Sequence, residues 1–319
     1  MDSTAVPGLW AGTAGWSYKD WEGVFYPAGA GKGFDFLRFY AEYFNTVEVN
    51  ATYYAYLRTD TAHGWVRKTE EKKDFSFIVK LHGDFTHKRQ FGEKEIAAMK
   101  GLLDVLAAAG KLGGVLIQFP YSFAGNAPNA AYVTRLNKVF EGYNRFLEVR
   151  HASWNTPETQ RACEDMGMTL CTIDQPQIGE SLSFTPAVLN GVAYVRLHGR
   201  NKEAWKHSIS QLSAKRSYLE LHDPLRQPRS AEPAVAQPPA EEDPNARYKY
   251  LYTRSELAAI AAAVYKAGAR EVYVITNNHP QGYAVANAFE LMHLLGNRAS
   301  FPVPDTALQA FPMLRELAG

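Results

Sequence analysis

Eight short runs suited to β-strands recur along the chain, and nearly all are separated by a stretch with helical spacing. The runs are 10–14, 46–50, 75–80, 114–119, one opening at Phe146, then 169–173, 193–197 and 271–276. Parallel neighbours cannot be joined by a tight turn, so this alternation predicts a parallel sheet with helical crossovers. Eight repeats within 319 residues predict a closed (β/α)8 barrel, a TIM barrel, formed by residues 1–319 as a single domain.

Helix signals fall between the runs. Phe36, Leu37, Tyr40 and Tyr43 share one face of a helix over 34–43, and Asp60 is placed to cap another over 61–72. A helix over 93–109 stops at Gly110, and a further one spans 129–140. Thr156-Pro157-Glu158 reads as an N-cap with proline in the first turn, starting a helix to about Met166. Thr253 with Glu256 forms a capping-box pattern for a helix to about Lys266. The last helix is expected over 282–295. The connection 174–191 is the weak unit and reads as loop or short helix. The excess length falls at 199–247, after the seventh strand, where an irregular insertion is expected. Its part 223–247 is rich in proline, alanine and charge and is expected to be flexible; its first part, with Trp205 and Tyr218, is expected to be ordered.

Polar residues gather where the strands end. They are Glu48 and Asn50, Lys80 and His82, Gln118, Glu148 and Arg150, Asp174, Arg196 and His198, and Asn277 and Asn278; the first strand ends instead at Trp16 and Tyr18. In four strands two polar residues stand two apart and so share a face. The stretch FLEVRHASW shows the design: an apolar start, then Glu148 and Arg150 side by side, then a loop to Trp154. Barrel enzymes carry their catalytic groups at the carboxyl ends of several strands. The plainer reading is that these charges only neutralise one another in the barrel mouth.

Net charge is +1, which gives no electrostatic case for bulk nucleic-acid or membrane-surface binding. No apolar run approaches the ~20 residues of a membrane span, and the first residues lack the features of a signal peptide. Cys163 and Cys171 match neither a zinc knuckle nor a redox pair and read as reduced thiols, so a cytoplasmic protein is expected. Gly12 and Gly15 make neither a dinucleotide fingerprint nor a P-loop. Ser153 after His151 makes no triad without a geometric partner.

The cationic side of the ring, Lys80, Arg150, Arg196, His82 and His198, points to an anionic ligand. The aromatics Trp16, Tyr18, Tyr53, Tyr54, Trp154, Trp205 and Tyr248 offer stacking surfaces or a roof. His87, His151, His207 and His279 read as loop or surface histidines. A divalent metal held by Glu48, Glu148, Asp174 and His198 is the rival arrangement, without a diagnostic ligand spacing.

The segments GTAGWSY (12–18), FNTVEVNATYY (44–54), FIVK, GVLIQFP (114–120), LEVRHASW (147–154), YVRLHG (194–199), YKYLYT (248–253) and TNNHPQGYAVANA (276–288) together resemble the DUF72, or YecE-like, family. The resemblance runs in order along nearly the whole chain. It implies a TIM barrel and supplies no reaction, and it places Glu48, Asn50, Lys80, Gln118, Glu148, Arg150, Arg196, His198, Asn277 and Asn278 in motif positions.

The expectation is therefore an enzyme acting on a phosphorylated sugar, a nucleotide or a related polyol by isomerase- or lyase-like proton transfer. Arg150, Arg196 and Lys80 would hold the anion, Glu48 or Glu148 would act as base and His198 as acid, with no organic cofactor. Asp174 is a further catalytic candidate; Asn50, Gln118, His82, Asn277, Asn278, Trp16, Tyr18 and Trp154 are binding candidates. Metal-assisted phosphodiester hydrolysis by a nuclease-like site and noncatalytic nucleotide or RNA binding are the alternatives.

Overall fold

The strand register closes on itself. β1 (Gly8–Ala14), β2 (Thr46–Val49), β3 (Ser76–Lys80), β4 (Leu112–Gln118), β5 (Arg145–Glu148), β6 (Met168–Asp174), β7 (Val192–Leu197) and β8 (Glu271–Thr276) pair in chain order, all parallel, and β8 returns to β1. This is the (β/α)8 barrel predicted from the alternation. The computed structural model describes residues 5–207, 245–296 and 300–319.

Around the barrel run α1 (Phe36–Tyr43), α2 (Ala51–Tyr54), α3 (Thr59–Lys68), α4 (Glu93–Ala108), α5 (Ala127–Val139), α6 (Pro157–Asp165), α7 (Arg254–Ala267), α8 (Tyr283–Gly296) and α9 (Asp305–Ala310). Their starts follow local chemistry. Thr156 Oγ1 accepts from the Thr159 amide ahead of α6, and Thr253 and Glu256 form a reciprocal capping box on α7. α3 differs from expectation. Arg58 is its N-cap, and Asp60 sits inside the first turn, where a carboxylate complements the helix dipole.

No helix forms over 174–191; that loop is held by isolated bridges, His151 to Ser181 and Leu189 to Val192. α9 and the 3-10 turn Pro312–Glu316 had no counterpart in the strand–helix count. Of the expected insertion, 199–207 and 245–247 are described, with Trp205 buried. The remainder of 223–247, and Tyr218, lie outside the described residues.

Strand parity decides what faces the interior. Ala14, Ile78, Leu116, Phe146, Cys171, Tyr194, Tyr273 and Ile275 form an apolar plug inside the barrel. Each large side chain in it stabilises the fold by about 1.5–3 kcal/mol through burial. Two residues further toward the carboxyl end, the same face carries Lys80 after Ile78, Gln118 after Leu116, Glu148 after Phe146, Arg196 after Tyr194 and Asn277 after Ile275. The apolar plug is thus the floor beneath a polar layer. No helix among the described residues is long and apolar enough to cross a membrane.

Candidate active site at the barrel mouth

Arg196 is the centre of the polar layer. Its side chain is 2% exposed, and Glu48 and Glu148 beside it are fully buried. Arg196 Nε donates to Glu48 Oε2 at 2.8 Å, Nη2 donates to Glu48 Oε1, and Nη1 donates to Glu148 Oε2. Tyr194, one step deeper on β7, donates its hydroxyl to Glu48 Oε2 at 2.9 Å. Buried charges persist when paired and hydrogen-bonded in this way. Burial raises the Glu148 carboxyl, but Arg196, Arg150 and His198 outweigh it and hold that group well below the usual carboxylate range.

Arg150 supplies the next link, with Nε 2.8 Å from Glu148 Oε1. His198 lies behind both arginines and is fully buried. Its Nδ1 meets the Asn277 side-chain amide at 2.9 Å, while Arg196 and Arg150 approach Nε2 at 3.4 and 3.5 Å. Burial and the Arg150 charge push the imidazole down to about 3, so it stays neutral near pH 7. Just after this residue Gly199 adopts φ +86°, and a Cβ there would lie 2.9 Å from Tyr250 Cβ. Only glycine takes the chain out of β7 at this point without strain.

Above this layer opens a cavity of about 610 Å³, of a size suited to a small ligand. Asn50, Lys80, Gln118, Arg150, Arg196 and Asn277 line its inner wall. Lys80 is half-buried, and its ammonium lies 4.4 Å from the Tyr53 ring centroid. Burial and Arg196 push it down to about 8, against the pull of Glu48 and Glu148. The Asn50 Oδ1 atom is buried and has no hydrogen-bond partner among the described residues.

Loops from both sides of the barrel seam complete the wall. Tyr18 and Asp20 come from the loop after β1, and His279 and Gln281 from the loop after β8. Tyr18 stacks on His279 at 4.4 Å, Trp21 Nε1 donates to His279 O at 2.8 Å, and Asp20 accepts from the Gln281 amide at 2.6 Å. Arg247, Tyr248 and Lys249 enter ahead of α7, with Arg247 over the Tyr248 ring at 4.7 Å. Tyr54 stands at the edge of the cavity, 79% exposed.

Several expected site residues do not line this cavity. Asp174 and Asn278 have the wrong parity. Cys171 faces the barrel interior, so Asp174 faces the outer layer, where it accepts from Arg200 Nε at 2.8 Å and Tyr252 Oη at 2.6 Å. Asn277 faces the cavity, so Asn278 turns away and donates to Tyr250 O and Asn287 Oδ1. His82 lies past the end of β3 and stacks on Tyr56. Trp16 packs edge-on against Trp65, and Trp154 stacks on Phe123 and donates to its carbonyl. Glu48, Glu148 and His198 sit immediately beneath the lining, bound to the arginines.

Of the expected metal ligands, His198 lies 3.6 Å from Glu148 and Glu48 shares Arg196 with it, while Asp174 faces the outer layer; among the described residues no group of three or more His, Cys, Asp or Glu is arranged to hold a metal ion. Ser153 does find a geometric partner. His151 Nδ1 lies 2.8 Å from Ser153 Oγ and its Nε2 2.9 Å from Glu180, yet the hydroxyl also accepts from the Gly125 amide at 2.6 Å. That arrangement ties together the loops after β4, β5 and β6, away from the cavity.

Reading strand ends left out Asp20, Arg247, Lys249, His279 and Gln281, which lie in loops. The signal for most of them was present: GWSYKDW, YKYLYT and TNNHPQGY are aromatic-rich loop segments flanking the strand ends.

The fold and the buried carboxylate–guanidinium layer define a TIM-barrel protein with a charged cavity at the carboxyl ends of its strands. The chain belongs to the DUF72 family, whose model, described as "Protein of unknown function DUF72", matches residues 10–310. It is 28% identical over 303 residues to UPF0759 protein YunF of Bacillus subtilis, covering 90% of this chain and 94% of that one. A DUF72 family protein from Thermotoga maritima is 27% identical, with a TM-score of 0.72 and coverage of 90% of this chain and 99% of the other. A DUF72 family protein from Enterococcus faecalis, 24% identical with a TM-score of 0.69 and coverage of 90% and 95%, shares the fold.

Proposed function

We propose that the protein is an enzyme that binds an anionic small molecule, a phosphorylated sugar, a nucleotide or a related polyol, and acts on it by proton transfer at the barrel mouth. The observation that carries this reading is the charge of the cavity. Lys80, Arg150, Arg196, Arg247 and Lys249 line it against one lining carboxylate, Asp20. Counting Glu48 and Glu148 beneath, five cations still face three carboxylates. A low-dielectric cleft with such an excess favours a phosphate or carboxylate.

Within this reading Arg150 is the principal anion contact, aided at the mouth by Arg247 and Lys249. Glu148 is a weak base because its carboxyl is held so low, and Glu48 is engaged by Arg196 at both oxygens. Both carboxylates therefore serve to orient the guanidiniums. Proton transfer falls to Lys80, whose amine is shifted toward neutral pH. The neutral His198 positions the two arginines.

The test is a thermal-shift and calorimetric screen of pyrophosphate, sugar phosphates and nucleotides against the intact protein and Arg150→Ala. Loss of the Arg150 contact is expected to weaken the best anion about 10- to 100-fold, the range for hydrogen bonds to charged groups. Unchanged affinity in that variant would remove Arg150 from the site. A second reading, noncatalytic nucleotide binding, draws on the exposed Tyr54 ring and the stacked Tyr18–His279 pair. It predicts nucleotide affinity without turnover of any sugar phosphate.

A further inference from the structure

Lys80 differs in its surroundings from the other cations of the inner wall. Arg196 and Arg150 are both bound to carboxylates. Among the described residues no carboxylate, carbonyl or hydroxyl accepts a hydrogen bond from the Lys80 ammonium; its nearest specific contact is the face of Tyr53. The carboxylates that might have held it, Glu48 and Glu148, are committed to the arginines. The side chain lines the cavity from the end of β3, a rigid element, with its anchoring carbonyl accepting from Thr52 Oγ1 at 2.7 Å. A half-buried amine, beside other cations and without a carboxylate of its own, is the arrangement that activates lysine as a nucleophile.

We propose that Lys80 forms a covalent imine with a small carbonyl compound that also carries a phosphate or carboxylate group. This deepens the anion-pocket reading and rests on it, since Arg150 would hold the anionic end while the carbonyl carbon meets Lys80 Nζ. The neutral amine attacks the carbonyl carbon, a C–N bond forms, and the carbonyl π electrons pass to oxygen, which takes the proton released from the nitrogen. The resulting carbinolamine loses its hydroxyl, with one further proton, as water and leaves a protonated imine. No oxidant or reductant is consumed. The iminium then draws electrons from the neighbouring carbon and acidifies its hydrogen, so in this form Lys80 serves as the electron sink and no longer as the base of the free-amine reading. The amine, pushed down to about 8, supports the step. About half of it is neutral at pH 8, where a solvent-exposed lysine is neutral to less than about one per cent.

The experiment uses the full chain, dihydroxyacetone phosphate as the anionic carbonyl probe and dihydroxyacetone as its uncharged counterpart. Sodium borohydride traps any imine, and peptide mass mapping reports modification at each lysine. The expected result is a reduced adduct at Lys80 at least tenfold above that at other lysines, with a rate that rises through a midpoint near pH 8. It should fall at least tenfold with dihydroxyacetone or in Arg150→Ala, and vanish in Lys80→Met. Modification of Lys80 no greater than that of exposed lysines such as Lys88 overturns the proposal. Pyrophosphate binding, followed by thermal shift in the unmodified protein, separates the two ideas. Binding with no Lys80 adduct removes the imine and leaves the anion pocket standing; absence of both removes the pocket reading as well.

Discussion

Arg196 grips Glu48 at both carboxylate oxygens, with Nε 2.8 Å from Oε2 and Nη2 2.5 Å from Oε1. Its remaining amino group holds Glu148, so one guanidinium bridges two buried acids, and Arg150 supplies the second positive charge at Glu148. Removing it in Arg196→Met leaves buried Glu48 without its paired cation and Glu148 with Arg150 alone. A loss of about 3–5 kcal/mol is expected, as for other buried pairs broken from one side. Urea denaturation measures it, and adding Glu48→Gln and Glu148→Gln should recover a large part. A midpoint that does not move in Arg196→Met would mean these carboxylates are solvated.

His198 gives the fold a dependence on acid. Its folded value, about 3, lies below the ordinary 6.5, so the unfolded chain takes up a proton that the folded one refuses. The stabilisation is complete above about pH 6.5 and is lost as pH falls toward 3. Glu148, also depressed, adds a loss of the same sign at lower pH, below the ordinary carboxylate range. For His198 alone, linkage gives about 2 kcal/mol between pH 6.5 and 5. Denaturation of His198→Asn across this interval should show a flatter slope than the parent.

Lys80 makes the opposite contribution at neutral pH. The folded ammonium is disfavoured relative to the unfolded one, so the penalty is full below about pH 8 and fades as pH rises to 10.5. Lys80→Met is therefore expected to stabilise the protein by about 1–3 kcal/mol at pH 7, allowing for partial solvent screening. Melting temperatures at pH 7 and pH 10 are the check. The gain should shrink at the higher pH; a destabilised variant at pH 7 would contradict it.

Gly199→Ala places a Cβ 2.9 Å from Tyr250 Cβ in a backbone at φ +86°. The strain is about 1–3 kcal/mol. Because His198, which meets both Arg150 and Arg196, precedes the turn, phosphate or pyrophosphate affinity is expected to drop along with stability in calorimetry. A variant with parent stability would show that the turn relaxes freely.

The barrel was legible because its period is simple: eight apolar runs, nearly all separated by helices, leave few other ways to pair strands. The inner ring was legible for a related reason, since Glu148 with Arg150 and Arg196 with His198 repeat at a spacing of two. The errors came where proximity to a strand end was trusted over parity. Counting on from the apolar plug would have kept Asn277 and Lys80 while rejecting Asp174 and Asn278. His82 and Trp154 were placed at the mouth because the loop beyond a strand does not inherit its alternation. Arg247 was out of reach for another reason: a long insertion separates it from β7, and loop paths are set by tertiary contacts. The α9 segment went unseen because a six-residue helix has too short a period to register.

The contacts between the Tyr18–Trp21 loop and the His279–Gln281 loop join the two ends of the barrel's circuit. They act as a clasp at the one junction that the polypeptide does not bridge covalently. A fragment that lacks either the first or the eighth unit thus loses two sheet neighbours and one wall of the cavity together. The cavity wall and ring closure share the same fastening, so anything that loosens it should be felt first as an opened mouth and only later as an open cylinder.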